Sequence, residues 1–164
     1  MFMHAGWDHI LGNMWFLAIF GKNVEDAFGK LGYLVFYFAG GFAATFLQTA
    51  MTLLFGTASE AQIPNLGASG AIAAVLGAYF VLYPKSRILT LVGWFPISIP
   101  AWFYLGGWFL LQLFEGNSAL VAATGGSGVA FFAHVGGFVF GAIVTGLLMG
   151  AGRIGARRPQ WNTT

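Results

Sequence analysis

Two polar side chains in a mostly apolar sequence have the types needed for acyl transfer. Ser69 offers a hydroxyl in the glycine-flanked run 67–70, and His134 offers an imidazole in a long stretch without charged residues. A serine beside a neutral imidazole is the minimum for nucleophilic catalysis, because the ring takes the hydroxyl proton during attack and returns it to the leaving group. The two residues are therefore a candidate catalytic dyad, provided that the fold brings them together.

Acyl transfer also needs hydrogen-bond donors for the oxyanion that forms during attack. His9 and Asn13 are four residues apart, which places them on one face of a helix. Together with the backbone N–H of Ser69, they are the candidate donors, and Gly67 is assigned to the support of the same site. No Asp or Glu is expected at this depth, so the sequence predicts a dyad without an acidic third member.

The composition determines what kind of fold must position these groups. The chain has 164 residues, of which 58% are apolar and only 7% are charged, against roughly 25% in an ordinary soluble domain. Such a chain cannot cover itself with polar surface, so we predict an integral membrane protein. The 18% aromatic content and the absence of cysteine exclude a disordered chain, a nucleic-acid-binding module, a disulfide scaffold and a thiolate metal site.

The runs without charged residues predict an all-α bundle of about five membrane-crossing helices, since each crossing needs roughly 20 residues. The predicted crossings are residues 7–21, 31–55, 66–83, 100–114 and 128–150. All seven Lys and Arg residues then fall on one side, in the connections 22–30 and 84–90 and after residue 152. This distribution is typical of a cytoplasmic face. The candidate site therefore faces the outer side.

The remaining segments are expected to be connections and a tail. Residues 56–65 and 115–128 are predicted outer connections, the second one flexible because of its glycines. Residues 1–152 are assigned to one membrane domain and 153–164 to a cytoplasmic tail. The amino terminus lies outside in this topology without a recognisable signal peptide. We therefore expect a preceding helix to be missing from the start of the chain.

Small residues predict which helices touch. They recur every three or four positions in two of the predicted crossings, where they allow two backbones to approach closely. On the third crossing these residues are Gly70, Ala74 and Gly77, and on the fifth they are Ala133, Gly137 and Gly141. Packing the two stripes together would bring Ser69 and His134 toward each other.

Three motifs in this order resemble those of the rhomboid intramembrane serine proteases: His4-x4-His9-x3-Asn13, the run 67–70 around Ser69, and His134-x2-Gly137-x3-Gly141. The resemblance extends from about residue 1 to residue 150. It implies that Ser69 is the nucleophile and His134 its base, with His9 and Asn13 at the oxyanion. It also implies structural roles for His4, Glu25, Gly70, Gly137 and Gly141.

The resemblance further implies a six-helix core that cleaves other membrane-spanning proteins in or near their spans. It implies neither a metal nor another cofactor, and its partners are the substrates and the lipid bilayer rather than nucleic acid. We expect a multi-pass protein in the plasma membrane of a prokaryote. Two departures stand out: the first helix of the family is absent, and Ala73 occupies a position where some members have a tyrosine stacked on the catalytic histidine.

Other interpretations of the same residues stay open. Ser69 alone is a common type of helix-packing residue, His134 alone fits a structural or proton-relay role, and Asn13 fits an interhelical hydrogen bond. A catalytically inactive rhomboid-like protein that binds or escorts membrane clients would not need Ser69 and His134 together. A transporter or metal site built on the three histidines lacks paired carboxylates within the membrane.

Overall fold

The computed structural model describes residues 3–56, 67–122 and 130–156. Most of these residues are helical, which confirms the predicted helical membrane bundle. The helices are α1 (Trp7–Phe16), α2 (Lys22–Phe28), α3 (Lys30–Phe55), α4 (Ser69–Leu82), α5 (Ala101–Ala122) and α6 (Phe131–Gly150), and a π-helical turn (Leu17–Gly21) joins α1 to α2. Gly29, with a φ of 73°, ends α2 in a left-handed conformation that favours glycine.

Helix α4 is the centre of the bundle. Every residue from position 71 to position 79 is buried, and α3, α5, α6 and the π-helical turn all pack against this helix. At about 1.5 Å per residue, its 14 residues span only about 21 Å, less than the roughly 30 Å of a bilayer core. By length and composition α3 and α6 are long and apolar enough to cross a membrane. The shorter α4 is shielded from lipid by its neighbours, so at least one of its ends lies below the membrane surface.

The predicted contact between the two small-residue stripes is present between α4 and α6. A methyl group added at Gly137 would collide with the backbone carbonyl of Gly70, and one added at Gly141 would collide with the carbonyl of Ala74. Gly77 on α4 faces the backbone of Phe138 in the same way. The two backbones are therefore in direct contact, with no room for larger side chains between them.

A β-hairpin between α4 and α5 was not predicted. Strands β1 (Arg87–Val92) and β2 (Phe95–Pro100) pair antiparallel, with Val92 opposite Phe95 next to the turn. Because the segment is apolar, its sequence instead favoured a connection that leads into a membrane helix. Its β-branched residues and its Gly-Trp turn are the local signals for a hairpin. Helix α5 then begins directly after Pro100.

Two of the predicted connections contain helical segments, so their predicted bounds are wrong. Residues 22–28, within the predicted connection 22–30, are helical and continue the first helix, and Val24 is fully buried. Residues 115–122 belong to α5, where Gly116 packs against Phe131 and Phe132 at the start of α6. Polar residues such as Asn117 and Ser118 indicated a loop, but they are tolerated on an exposed helical face. The rest of the predicted outer connections, residues 57–65 and 123–128, and residues 157–164 of the predicted tail lie outside the described residues.

Candidate active site

Ser69 and His134 are in hydrogen-bond contact. Ser69 is the first residue of α4, and His134 lies one turn into α6. The Ser69 Oγ is 2.9 Å from the His134 Nε2. Both residues are half-buried. The glycine contacts between α4 and α6 set this distance, because the side chains start from backbones that already touch.

The amino terminus of α4 supplies further donors around Ser69. The first hydrogen bond within the helix runs from the Ile72 N–H to the Ala68 carbonyl at 2.9 Å. The N–H groups of the first turn therefore have no acceptor inside the helix, which is the general situation at a helix start. Such N–H groups and the helix dipole favour a negative charge at this position.

The other nitrogen of the His134 ring is also bonded. His134 Nδ1 lies 2.6 Å from the Oε1 of Gln112, which is buried in α5. The Trp108 ring, one turn earlier in α5, lies 5.7 Å from the His134 ring at an interplanar angle of 39°. The sequence alone did not identify either residue as a neighbour of the histidine.

His9, Asn13 and Gly67 converge beside Ser69. Gly67 has a φ of 102°, a conformation that favours glycine. A Cβ atom at this position would lie 2.8 Å from the His9 Nε2 and 3.7 Å from the Asn13 Nδ2. Asn13 is only 8% exposed, and its Nδ2 has no hydrogen-bond partner among the described residues. An unpaired buried amide is costly, so it is a candidate to donate to a group that is not part of the resting protein.

The contacts of His9 define which of its nitrogens can donate. Its Nδ1 accepts a hydrogen bond from the Ala5 N–H at 3.3 Å. A neutral ring then carries its proton on Nε2, the atom that faces Gly67. Gly67 is two residues before Ser69, so His9 and Asn13 lie beside the start of α4. The structure thus brings the two halves of the predicted site together.

His4 and Glu25 lie away from the Ser69–His134 contact. The His4 ring packs edge-on against His9 with 5.3 Å between ring centroids, and its buried Nε2 has no partner within the described segments. Glu25 is half-buried in α2, and its backbone carbonyl accepts the Gly29 N–H at 2.7 Å. The described contacts of His4 and Glu25 are thus with residues other than Ser69 and His134.

The arrangement can support nucleophilic attack on a carbonyl without a metal ion. It contains a hydroxyl, an imidazole within reach of that hydroxyl, and donors at Asn13, His9 and the start of α4. Among residues 3–56, 67–122 and 130–156, no group of three or more His, Cys, Asp or Glu side chains is arranged to hold a metal ion.

Comparison with protein families gives a match over nearly the whole chain, in which residues 1–151 match the Rhomboid domain. RHOMBOID-like protein 12, mitochondrial, of Arabidopsis thaliana is 32% identical over 152 residues, covering 87% of this chain and 43% of that protein. Rhomboid protein 1, mitochondrial, of Saccharomyces cerevisiae is 30% identical over 142 residues, covering 87% and 38%.

A shorter match is to Presenilin-associated rhomboid-like protein A, mitochondrial, of Danio rerio, which is 32% identical over 87 residues. That match covers 53% of this chain and 22% of the zebrafish protein. The chain therefore spans less than half the length of each of these three curated relatives. No solved structure matches the chain.

Proposed function

The chain belongs to the rhomboid family, and we propose that it is an intramembrane serine endopeptidase whose catalytic dyad is Ser69 and His134. The observation that carries this proposal is the 2.9 Å contact between the Ser69 Oγ and the His134 Nε2. Support comes from the buried donor of Asn13, which lacks a partner among the described residues. A helix-packing serine explains neither feature.

In the proposed reaction, the Ser69 Oγ attacks the carbonyl carbon of the scissile peptide bond while His134 Nε2 takes the hydroxyl proton. The carbonyl oxygen becomes an oxyanion that accepts hydrogen bonds from Asn13 Nδ2, His9 Nε2 and the backbone N–H of Ser69. Collapse of the tetrahedral intermediate breaks the C–N bond, and the departing amine receives the proton from His134. Water then hydrolyses the acyl-enzyme by the same route.

The proposed substrates are proteins with a membrane-spanning helix, cleaved in or near that span. The length of α4 supports this choice, because a buried helix of 14 residues leaves an end below the membrane surface. Ser69 is at one end of this helix, and the proposal places that end at the submerged depth, where a peptide bond belongs to a segment in or beside the bilayer. A site at that depth does not favour a soluble, folded substrate.

The site is proposed to open on the side of the membrane opposite the basic residues. Ser69 and His134 lie at the starts of α4 and α6, whereas Lys85 and Arg153 follow the other ends of these helices. The positive-inside rule assigns those ends to the cytoplasmic side. The chain is an integral membrane protein. The narrower prediction of a prokaryotic plasma membrane has no support among the curated relatives, whose names place them in mitochondria or chloroplasts.

Cleavage by purified protein tests the proposal. The wild-type chain and its Ser69→Ala form are incubated in liposomes with a reporter membrane protein that carries a fluorescent tag on each side of its span. Ser69→Ala removes one oxygen atom and keeps the small side chain that the helix packing needs, so it is a matched control. We expect product from the wild type and none from Ser69→Ala.

Two results would contradict the proposal. Equal product from both proteins would mean that another group, or a contaminating protease, does the cutting. Binding of the reporter without cleavage by either protein would favour the alternative of an inactive rhomboid-like protein that holds membrane clients.

A further inference from the structure

The His134 ring is bonded on both of its nitrogens, and the two contacts have different partners. Nε2 faces the Ser69 hydroxyl at 2.9 Å, and Nδ1 faces the Gln112 Oε1 at 2.6 Å. Gln112 is only 6% exposed and belongs to α5, which packs beside α6. The position of Gln112 therefore bears on the chemistry of the ring and not only on the packing of the two helices.

An amide oxygen accepts hydrogen bonds and cannot donate them. A ring nitrogen that bonds to Gln112 Oε1 must therefore carry the proton. In a neutral imidazole this leaves Nε2 unprotonated, which is the state that can take the proton of Ser69. The opposite tautomer would place a proton on Nε2 and a lone pair on Nδ1, facing the amide oxygen. It would lose the 2.6 Å hydrogen bond and the ability to act as a base toward Ser69.

We propose that Gln112 is a positioning residue that holds His134 in the tautomer protonated on Nδ1, so that Nε2 is free to accept the proton of Ser69. This inference rests on the proposed function. A neutral amide suits this location, because it orients the ring without placing a second charge in the low-dielectric interior of a membrane protein. The Trp108 ring lies 5.7 Å from the same ring, so α5 contacts the imidazole through two side chains.

The competing interpretation is that Gln112 only ties α5 to α6. The chain contains a matched control for this interpretation, because Gln48 in α3 also bonds α6, through its Oε1 and the Ala133 N–H at 3.2 Å. Gln48 is half-buried and accepts its hydrogen bond from a backbone N–H of α6 rather than from the His134 ring. A purely structural loss should therefore be similar for Gln48→Met and Gln112→Met.

The kinetic test compares three variants on the liposome reporter. Gln112→Met keeps the size of the side chain and removes the acceptor, and we expect kcat to fall about 10- to 10²-fold with KM nearly unchanged. This is less than the roughly 10⁴-fold loss known when a triad aspartate is removed, because no charge is lost. Gln112→Glu keeps an oxygen that can accept from Nδ1 but introduces an ionisable group, so it should lose less activity than Gln112→Met. Gln48→Met should stay within about two-fold of wild type. Equal losses in Gln48→Met and Gln112→Met would overturn the proposal.

A spectroscopic test does not depend on cleavage. In protein labelled with ¹⁵N-histidine, the shifts of the two ring nitrogens report which one carries the proton, and His134→Ala assigns the signals. We expect the Nδ1-protonated form in the wild type and in Ser69→Ala, and a shift toward the Nε2-protonated form in Gln112→Met. A wild-type ring protonated on Nε2 would overturn the role of Gln112. A chain that shows the expected tautomers without cleaving the reporter would contradict the proposed function alone.

Discussion

The two sides of the candidate site are built in different ways. On the side formed by α4, α5 and α6, glycines bring backbones into contact, and both nitrogens of His134 have partners. On the side formed by α1, the buried Nδ2 of Asn13 and Nε2 of His4 have no partner among the described residues. The outer face of α1 is also open, with Trp7 and Leu11 strongly exposed.

This difference separates two chemical tasks. In the proposed mechanism a proton moves between Ser69 and His134, and these two side chains are already in contact in the resting protein. The groups that would bind the oxyanion have hydrogen-bonding capacity left over, and an unsatisfied buried donor costs about 1–3 kcal/mol. A site can retain such a cost when a ligand or transition state supplies the missing acceptor. One half of the site is thus complete without substrate, and the other half is completed by it.

The largest predicted effect comes from separating the α4 and α6 backbones. Gly137→Val would drive a branched side chain into the Gly70 carbonyl, so the helices must move apart by an ångström or more. A displacement of about 1 Å can cost 10²-fold in rate, and overpacking costs about 1–3 kcal/mol of stability. We expect no detectable reporter cleavage and a lower Tm. Gly146→Val is the control. Gly146 is on the same helix, a Cβ atom at this position meets nothing within 4 Å, and the substitution causes the same change in helix propensity. Similar behaviour of the two variants would refute the role of the backbone contact.

A smaller effect is predicted on the α1 side, where activity and stability should respond in opposite directions. Asn13→Leu removes the unpaired amide and keeps nearly the same volume. Cleavage should fall about 10²-fold, as for the loss of one oxyanion donor. Thermal stability should stay equal or rise, because a buried donor without a partner is replaced by an apolar group. A marked fall in Tm, measured together with the rate, would show that Asn13 is a structural hydrogen-bonding residue.

The smallest predicted effect concerns the face of the His134 ring. Ala73 is fully buried and lies close to Gly137 of α6: a Cβ atom at position 137 would be only 3.2 Å from the Ala73 Cβ. A tyrosine therefore does not fit at position 73. Trp108 contacts the ring from α5 instead. An aromatic contact contributes about 0.5–1.5 kcal/mol, so Trp108→Leu should reduce kcat about 2- to 10-fold. A rate equal to wild type would mean that the hydrogen bonds alone hold the ring.

The sequence predicted those features of the site that follow from the spacing of residues along a helix. Stripes of small residues every three or four positions predicted the contact of α4 with α6, and the four-residue spacing placed His9 and Asn13 on one face. The contact between Gln112 and His134 was not predictable in this way. Helix α5 is apolar on nearly every side, so its sequence does not indicate which face is turned toward α6.

Two structural features were missed for a different reason. The hairpin around Trp94 has the hydrophobicity of a membrane segment, so its composition hid its β-branched pattern. The last two turns of α5 contain Gly116 and polar residues that are typical of loops. Gly116 packs against Phe132 of α6, a contact that only the folded chain provides.

Covalent labelling by a fluorophosphonate tests most directly whether the Ser69–His134 contact activates the serine. The reagent phosphonylates an activated serine: the serine oxygen bonds to phosphorus, fluoride leaves and a base takes the hydroxyl proton. Mass spectrometry of the labelled protein locates the adduct. We expect one adduct at Ser69 in the wild type, no adduct in Ser69→Ala, and strongly slowed labelling in His134→Ala. An adduct at a different serine, or labelling of Ser69 at the same rate without His134, would contradict the assignment of the dyad.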